Sequence, residues 1–276
     1  MTLAEPYRRY LRLLGIEGQP SGLEGLRLIV RRHLTRVPFE NISKLLLFAR
    51  EGTGRRLSLT EFLDGIEHHD LGGTCYTSNP YLADLLRALG YQADLLGADM
   101  TNPNVHTSVR VHSGPGYHVD VAFAAPFREP VPLDALPYTV NEGAHRYVFD
   151  RHPQGIALTF QSGGDPEQSY LAHEPPRGRE FFDEIVRASF LPDAYFLNRL
   201  RIARFFDGHS VDLLNRTMSV HRDGVTTKAE LASLGELEEA VRTVFAMPRC
   251  PVREAVSVLE RHTGIPLFPR AAAKQV

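Results

Sequence analysis

The segment Leu71–Tyr91, LGGTCYTSNPYLADLLRALGY, lies where the periodicity of the chain changes. Its second half places apolar residues three and four positions apart, so we expect a helix that begins near Pro80 and is capped by Gly90. After residue 91, apolar and polar residues alternate, which is typical of β-strands. The segment therefore predicts that a helical part of the chain ends here and a β-rich part begins.

Three earlier segments show the same helical spacing of apolar residues. They are PYRRYLRLLGI (6–16), GLEGLRLIVRRHLTRV (22–37) and SLTEFLDGIEHH (58–69). Pro38 ends the second helix, because proline lacks the N–H group that a helix interior needs. Ser58 and Glu61 have the spacing of a capping box at the start of the third.

A strand-rich region follows as far as about residue 176. Its expected strands are ADLLGADM (93–100), HTSVRVH (106–112), YHVDVAFA (117–124), HRYVFD (145–150), IALTFQ (156–161) and SYLAHE (169–174). The sequence SGPG at 113–116 predicts a turn between the second and third of these.

The rest of the chain gives mixed signals. The expected elements are a helix in EFFDEIVRASF (180–190), a strand in LLNRTMSVHRDGV (213–225) and a helix in LGELEEAVRTVFA (234–246), before a less regular tail. Helices, then strands, then a mixed end favour an α+β fold over an alternating parallel sheet.

Composition narrows the class of protein. The chain has 276 residues, 43% of them hydrophobic and 23% charged, and a net charge of −2. Such a balance gives no broad basic face for nucleic acid and no electrostatic attraction to a membrane. Apolar runs such as LLLF at 45–48 are too short to span a bilayer, and the N-terminus lacks the apolar core of a signal peptide. With two cysteines and no disulfide framework, we expect a soluble protein of the reducing cytoplasm.

One of those cysteines is the strongest chemical signal. Cys75 precedes a helix, where backbone N–H groups and the helix dipole favour a thiolate, and Gly72–Gly73 allow a sharp turn beside it. A nucleophilic thiolate needs a base and the base needs an orienting group. His106 begins an expected strand, and Asp120 lies in apolar surroundings on the next one, so the hairpin between them can bring the two side by side. The order Cys, His, Asp is one arrangement of a catalytic triad.

Structural interpretations remain open for each residue by itself. A cysteine before a helix, a histidine at a strand end and an aspartate between backbone amides all occur without catalysis, and Cys250 fits a small buried hydrophobe. A metal site at Glu67–Asp70 with Cys75 is not expected, since adjacent histidine side chains on a helix point about 100° apart.

Several segments, in order along the chain, resemble motifs of the arylamine N-acetyltransferase family. They are RVPFENI (36–42) for the PFEN segment, GGTCYTSN (72–79) for R-G-G-x-C-[FY]-E-x-N, VHT (105–107) for the histidine strand, VDVAFA (119–124) for V-D-V-G-F-G, REPVPL (128–133) for the segment after it and, faintly, LLNRTM (213–218). The resemblance implies a helical bundle over residues 1–90, a central antiparallel β-barrel over 91–176 and a C-terminal α/β lid over 177–276.

The same resemblance implies a function. Cys75 would be the nucleophile, His106 the base and Asp120 the orienting group, with acetyl-CoA as cosubstrate in a ping-pong transfer of a short acyl group to an arylamine and no metal. Candidate substrate-binding residues are Phe39 in the PFEN segment, Thr107 beside the histidine, and Phe123 and Phe127 in the loop after Asp120.

Departures from the motifs leave the acyl donor and the acceptor open. Leu71 and Thr77 replace an arginine and a glutamate of the family motif, which could be a compensated loss of a charge pair, and Ala122 and Ala124 replace two glycines. Relatives on the same fold use such a triad to release acyl chains from a carrier protein, by amide synthesis or by Dieckmann-type ring closure, and this is the second function that the sequence allows. Hydrolysis, transglutaminase-like chemistry and a non-catalytic binding role also stay open.

Overall fold

The structure, a computed structural model, describes residues 3–162, residue 164 and residues 167–268. Its first part is helical, as expected. The elements are α1 (Glu5–Leu13), α2 (Gly22–Arg36), a two-residue strand β1 (Phe39–Glu40), α3 (Ile42–Glu51), α4 (Leu59–His69) and α5 (Cys75–Ala88). The apolar faces of α1, α2, α4 and α5 meet in one buried cluster that includes Tyr10, Leu26 and Phe62.

Two features of this part differ from the sequence prediction. The pattern does not predict α3, because Leu45–Phe48 are consecutive apolar residues and show no helical spacing. The helix expected near Pro80 begins at Cys75 instead and has the proline inside it. Tertiary contacts hold its first turns, since the Ser78 hydroxyl donates to the Gly72 carbonyl at 3.0 Å. The expected capping box of α4 is present.

The next part of the described chain is an eight-stranded antiparallel sheet that curls into a nearly closed barrel. The strands are β2 (Ala93–Asp99), β3 (His106–Val111), β4 (Tyr117–Val119), β5 (Val131–Pro132), β6 (Tyr138–Glu142), β7 (His145–His152), β8 (Gly155–Ser162) and β9 (Glu167–Pro176), in the spatial order β5-β4-β3-β2-β9-β8-β7-β6. Phe149, Leu158 and Tyr170 are fully buried in its interior.

One strand of the barrel is shorter than predicted. Strands β3 and β4 pair through the expected turn, but β4 ends at Val119, so Asp120 lies just beyond it. The physical reason is local: the Asp120 carboxylate accepts a hydrogen bond from the Ala122 N–H at 3.0 Å and turns the chain away from the sheet. Ala124 then adopts a left-handed φ of 61°, which retains the backbone conformation suited to glycine.

The last part combines helices with a five-stranded antiparallel sheet, counted over the described residues. The elements are α6 (Asp183–Ala188), β10 (Arg201–Phe206), β11 (His209–Leu214), β12 (Thr217–Arg222), β13 (Val225–Glu230), α7 (Leu234–Thr243) and α8 (Val252–Thr263). The strand expected over 213–225 is divided by a turn between β11 and β12, and α8 lies where the sequence predicts an irregular tail. Residues 269–276 of the predicted lid lie outside the described residues.

Strand β1 connects the first part of the chain to the last. The sheet order is β1-β10-β11-β12-β13, with Phe39 opposite Ala203. Next to it, the fully buried Asn41 donates from Nδ2 to the carbonyls of Phe196 at 2.7 Å and Arg199 at 2.6 Å, and its Oδ1 accepts from the Arg201 N–H at 2.8 Å. The amide of Asn41 thus satisfies three main-chain groups before and at the start of β10. The predicted domain boundaries at residues 90 and 176 stay a prediction.

Neither a membrane span nor a metal cluster is found in the part of the chain that the structure describes. No helix there is long and apolar enough to cross a bilayer. No group of three or more His, Cys, Asp or Glu residues there is placed to hold a metal ion.

Replacement of Asn41 should destabilise the fold. In Asn41→Ala, two partly buried carbonyls and one N–H lose their partner, and we expect the free energy of unfolding to fall by on the order of 3 kcal/mol. Urea denaturation measures this. Asn198→Ala is the matched control, because exposed Asn198 also donates to two carbonyls, of Pro192 and Ala194, and its loss should cost under about 1 kcal/mol. Equal losses in the two variants would contradict this role of Asn41.

Candidate active site

The start of α5 is fixed by a buried carboxylate. Glu40 has no exposed surface, and its Oε1 accepts hydrogen bonds from the Gly72 N–H at 3.0 Å and the Gly73 N–H at 2.6 Å, while Oε2 accepts from the Ser43 N–H at 2.8 Å. Gly73 has a φ of 76°, and a Cβ on Gly72 would lie 2.1 Å from the Pro38 carbonyl oxygen. Both glycines are therefore required by the backbone path that leads to Cys75.

Cys75 is the first residue of α5 rather than a residue before the helix, so it lies among the free N–H groups of the first turn. It is 6% exposed, and its Sγ lies 3.9 Å from the Val105 carbonyl oxygen. Thr107 donates from Oγ1 to the Cys75 carbonyl at 2.8 Å and is itself fully buried. The Thr107 side chain, expected to bind substrate, is therefore placed to hold Cys75 in position.

His106 and Asp120 meet as the predicted hairpin requires. His106 Nε2 is 2.7 Å from Asp120 Oδ2, and both residues are 3% exposed. Asn79 donates from Nδ2 to Asp120 Oδ1 at 3.0 Å and to the Thr107 carbonyl at 2.6 Å. Asn79 thus joins the helix that carries the cysteine to the loop that carries the aspartate.

Asp120 and His106 stabilise each other's charged forms. Burial alone raises the pKa of Asp120, but the nearby His106 charge and the hydrogen bonds from His106, Asn79 and the Ala122 N–H lower the pKa of Asp120 below its usual range. Burial alone lowers the pKa of His106, whereas the charge of Asp120 and then that of Cys75 raise the pKa of His106 above its usual value. An imidazolium between a carboxylate and a thiolate is the arrangement that this electrostatic balance favours.

Tyr170 covers His106 from the barrel interior and His118 contacts Tyr170; neither is among the residues predicted from the sequence. The ring of Tyr170 stacks on His106 with centroids 5.1 Å apart. His118 Nε2 lies 2.8 Å from the Tyr170 hydroxyl, and complete burial lowers the pKa of His118 to about 4, so it is neutral near pH 7. The local signal for His118 is its position two residues before Asp120, on the same side of the chain; nothing local points to Tyr170.

The predicted aromatic residues occupy different places. Phe123 contacts His106 edge to face, with centroids 5.6 Å apart. Phe127 stacks behind Phe123, with ring centroids 5.9 Å apart, and is 2% exposed. It therefore holds Phe123 in place and is not itself open to a substrate. Phe39 is buried in the cluster that contains Cys75 and Phe205. Phe39 and Phe123 therefore remain candidate substrate contacts.

The residues that depart from the family motifs are accommodated by the surrounding structure. Leu71 is buried in the apolar cluster of the C-terminal part, and Thr77 is buried against Gly73. Neither position itself carries a charge. Ala124 retains the left-handed backbone of a glycine, so the loop after Asp120 keeps this turn and adds a methyl group.

A cavity of about 260 Å³ opens beside this group. Phe123, Ala124 and Phe205 line one end of it, and Tyr147 and Phe160 of the barrel line another wall. Phe123 contacts His106, and Ala124 and Phe205 share the buried cluster of Cys75, so these lining residues lie between the cavity and the triad. The cavity is therefore a candidate place for a small aromatic molecule near the triad.

The comparisons with known proteins all find N-acetyltransferases. A family model described as N-acetyltransferase matches residues 22–248. The chain is 27% identical over 256 residues to an arylamine N-acetyltransferase of Mycolicibacterium smegmatis, covering 86% of this chain and 90% of the relative. Its fold resembles the Mycobacterium marinum arylamine N-acetyltransferase in complex with CoA, with a TM-score of 0.78, 22% identity and 93% and 97% of the two chains covered. For an M. smegmatis arylamine N-acetyltransferase, the TM-score is 0.76 at 25% identity, with coverages of 96% and 98%.

The two cysteines should differ in reactivity. Burial, together with the charges of Glu40 and Asp70, raises the pKa of Cys250 well above its usual value, whereas Cys75 faces an imidazole. With limiting iodoacetamide at pH 7, we expect Cys75 to be alkylated at least about tenfold faster than Cys250, as measured by peptide mass spectrometry. Cys250→Ser should leave the rate at Cys75 unchanged. Equal labelling of both thiols would contradict the assignment.

Asp120→Asn should weaken the site without unfolding it. It removes the charge that raises the pKa of His106, so the imidazolium that faces Cys75 is lost at lower pH. We expect the alkylation profile of Cys75 to shift to higher pH and turnover to fall at least about 10²-fold, less than the roughly 10⁴ of a serine protease.

A matched histidine–aspartate pair on the surface provides the control for this change. His112 Nε2 lies 2.6 Å from Asp94 Oδ2, and Asp94→Asn removes that carboxylate from a pair that does not include a triad residue. This variant should keep the wild-type profile and turnover. A well-folded Asp120→Asn variant with near-normal turnover would mean that Asp120 is structural.

Proposed function

The chain belongs to the arylamine N-acetyltransferase family, and on that basis we propose that it transfers an acetyl group from acetyl-CoA to an arylamine through an acyl-enzyme on Cys75. Members of this family are enzymes, so the chain is an enzyme. The observation that carries the proposal is the buried hydrogen bond of 2.7 Å between His106 and Asp120, beside a cysteine at the start of α5.

The first half-reaction forms the acyl-enzyme. The Cys75 thiolate attacks the thioester carbonyl carbon of acetyl-CoA, and backbone N–H groups at the start of α5 stabilise the oxyanion. When the tetrahedral intermediate collapses, the bond to the CoA sulfur breaks and the imidazolium of His106 gives its proton to that sulfur. The products are free CoA, acetylated Cys75 and a neutral His106.

The second half-reaction returns the site to its starting state. The amine attacks the acetyl carbon, and neutral His106, oriented by Asp120, accepts the proton that the amine loses. Collapse expels the Cys75 thiolate and releases the amide. The thiolate and the imidazolium are then restored together, so each cycle is balanced in protons.

The cavity supports an aromatic acceptor. Phe123, Tyr147, Phe160 and Phe205 line it, and its volume of about 260 Å³ exceeds that of engineered cavities of roughly 150 Å³ that bind benzene. A single substituted ring therefore fits in this cavity, next to the side chains of Phe123 and Phe205 that separate it from the triad. No feature of the residues that the structure describes favours a carrier protein as acyl donor, and we do not propose one. We keep a cytoplasmic location as part of the proposal, because a free reactive thiol persists in a reducing compartment.

Intact-protein mass spectrometry tests the proposal. Incubation with acetyl-CoA should add one acetyl group to the wild-type protein, and an aniline should discharge it much faster than water does. Cys75→Ala should form no adduct, and Cys250→Ala should form it normally. If the protein stays unmodified by acetyl-CoA but takes up a longer acyl thioester, the donor is wrong; if Cys75→Ala is still acetylated, the nucleophile is wrong.

A further inference from the structure

The barrel has a second cavity at the end away from the triad. His106 and Arg110 are four residues apart on β3, so their side chains lie on the same side of the strand. His106 stacks on Tyr170 in the barrel interior, and Arg110 lies roughly 13 Å further along the strand, at about 3.3 Å per residue. Arg110 lines a cavity of about 210 Å³, which we call the barrel-end cavity. Among the described residues that line it, none belongs to the triad.

Buried apolar side chains form one part of the lining of the barrel-end cavity. Leu96 of β2 and Ala172 of β9 are each 1% exposed, and Leu133 and Ile156 are also buried. An apolar cavity of roughly 150 Å³ stays dry and binds benzene. The volume here is larger, so this part of the cavity can bury an apolar body of about that size. The lining also includes two arginines, which the next paragraphs describe in turn.

Arg110 has few partners of its own. Its side chain is 30% exposed, its Nε is buried, and none of its guanidinium nitrogens makes a hydrogen bond to the described residues. Nη1 lies 3.8 Å from Oε1 of Glu174, whose side chain is 66% exposed. A buried N–H group without an acceptor is costly, so Arg110 favours a ligand that brings an acceptor to it.

The neighbours of Arg110 in the sheet do not supply that acceptor. Asp94 is opposite Arg110 on β2, but its carboxylate lies 2.6 Å from His112 Nε2. His118 is opposite Arg110 on β4, and its Nε2 lies 2.8 Å from the Tyr170 hydroxyl. Burial lowers the pKa of His118 to about 4, so this ring is neutral near pH 7 and offers Arg110 no negative charge.

Arg151 also has N–H groups to spare. A guanidinium has five N–H donors, and the contact that Arg151 makes among the described residues runs from Nη2 to the Leu133 carbonyl at 2.6 Å. The two carboxylates that line the cavity belong to Asp134 and Glu174, which are exposed residues. Water screens the charge of an exposed carboxylate, so neither of them replaces a buried partner for a guanidinium.

This combination of groups selects a class of ligand. The planar fork of a guanidinium matches the two oxygens of a carboxylate, and the buried apolar side chains suit an apolar body. Two arginines and two carboxylates make the lining neutral as a whole, which favours one negative charge over a doubly charged phosphate ester. A hydrocarbon without a charge would leave the N–H groups of Arg110 without acceptors.

We propose that the barrel-end cavity binds a small monocarboxylic acid with an apolar body about the size of a benzene ring. Its carboxylate accepts hydrogen bonds from Arg110, with Arg151 as a second source of positive charge, and its body packs against Leu96, Ile156 and Ala172. The site does not depend on the proposed acetyl transfer, because the triad does not contribute to the described lining.

An NMR titration with benzoate tests the proposal. Nitrogen-15-labelled protein in a buffer free of carboxylic acids is titrated, and the amide chemical shifts are followed. We expect saturable binding with a Kd on the order of 1 mM or tighter, and the largest shifts in β8, β9 and the residues around Leu133. Benzamide has the shape of benzoate without the charge, and acetate has the charge without the ring. Each should bind at least about tenfold more weakly than benzoate.

Three variants locate the carboxylate. Arg110→Gln removes the charge and should weaken benzoate binding at least about tenfold. Arg151→Gln should weaken it at least about threefold, and it keeps the test valid if Arg110→Gln does not fold. Arg146→Gln is the matched control, because Arg146 is exposed on β7 and is not among the residues that line the cavity, and it should keep the wild-type Kd. Circular dichroism and a thermal melt check that each variant is folded.

Alkylation of Cys75 separates the barrel-end cavity from the candidate active site. Protein alkylated at Cys75 with iodoacetamide should bind benzoate with an unchanged Kd. Loss of binding after alkylation, or largest shifts around Phe123 and Phe205, would place benzoate near the triad and overturn the proposal. The absence of saturable binding, equal affinity for benzoate and benzamide, or an unchanged Kd in folded Arg110→Gln and Arg151→Gln variants would overturn it as well.

Discussion

The buried carboxylate of Glu40 is the constraint on which the rest of the site depends. It receives three backbone N–H groups, two of them from Gly72 and Gly73, and so fixes the sharp turn that starts α5 at Cys75. A buried carboxylate is costly without such donors, and the turn has few other ways to satisfy its N–H groups. Because Glu40 belongs to β1, the same residue is held by the C-terminal sheet. The position of the thiol is therefore set by two parts of the chain at once.

Around this turn, buried side chains hold each of the three triad residues in place. Asn79 holds the loop of Asp120 against α5, Thr107 holds the Cys75 carbonyl, and Tyr170 covers the ring of His106. Each of these contacts is buried, so each is strengthened by the low local dielectric and would be costly if one partner were missing. The result is a histidine whose orientation is decided by packing from the barrel and whose charge is decided by Asp120.

The residues that could be predicted from the sequence are those whose partners are close along the chain. Cys75, His106 and Asp120 could be identified because a helix start and a short hairpin bring them together, and Ser58 with Glu61 because a capping box is local. Tyr170 could not, because its position depends on the pairing of β9 with β2, two strands far apart in sequence. The prediction that the helix begins near Pro80 was wrong. Proline is typical of a helix start, but contacts of the preceding turn, such as the hydrogen bond from Ser78 to Gly72, extend the helix back to Cys75. The match to the family model and the similar solved structures confirm the α+β fold.

The pairing of β1 with β10 has a consequence for how the protein folds. Phe39 and Ala203 are neighbours in the sheet although more than half of the chain separates them. Contacts of such long sequence separation require a large loop to close before they stabilise anything, and they slow folding. During synthesis, the turn before Cys75 lacks its full support until β10 has emerged and paired. The order of synthesis therefore means that the Cys75 thiol reaches its final position only after most of the residues that surround it have been made.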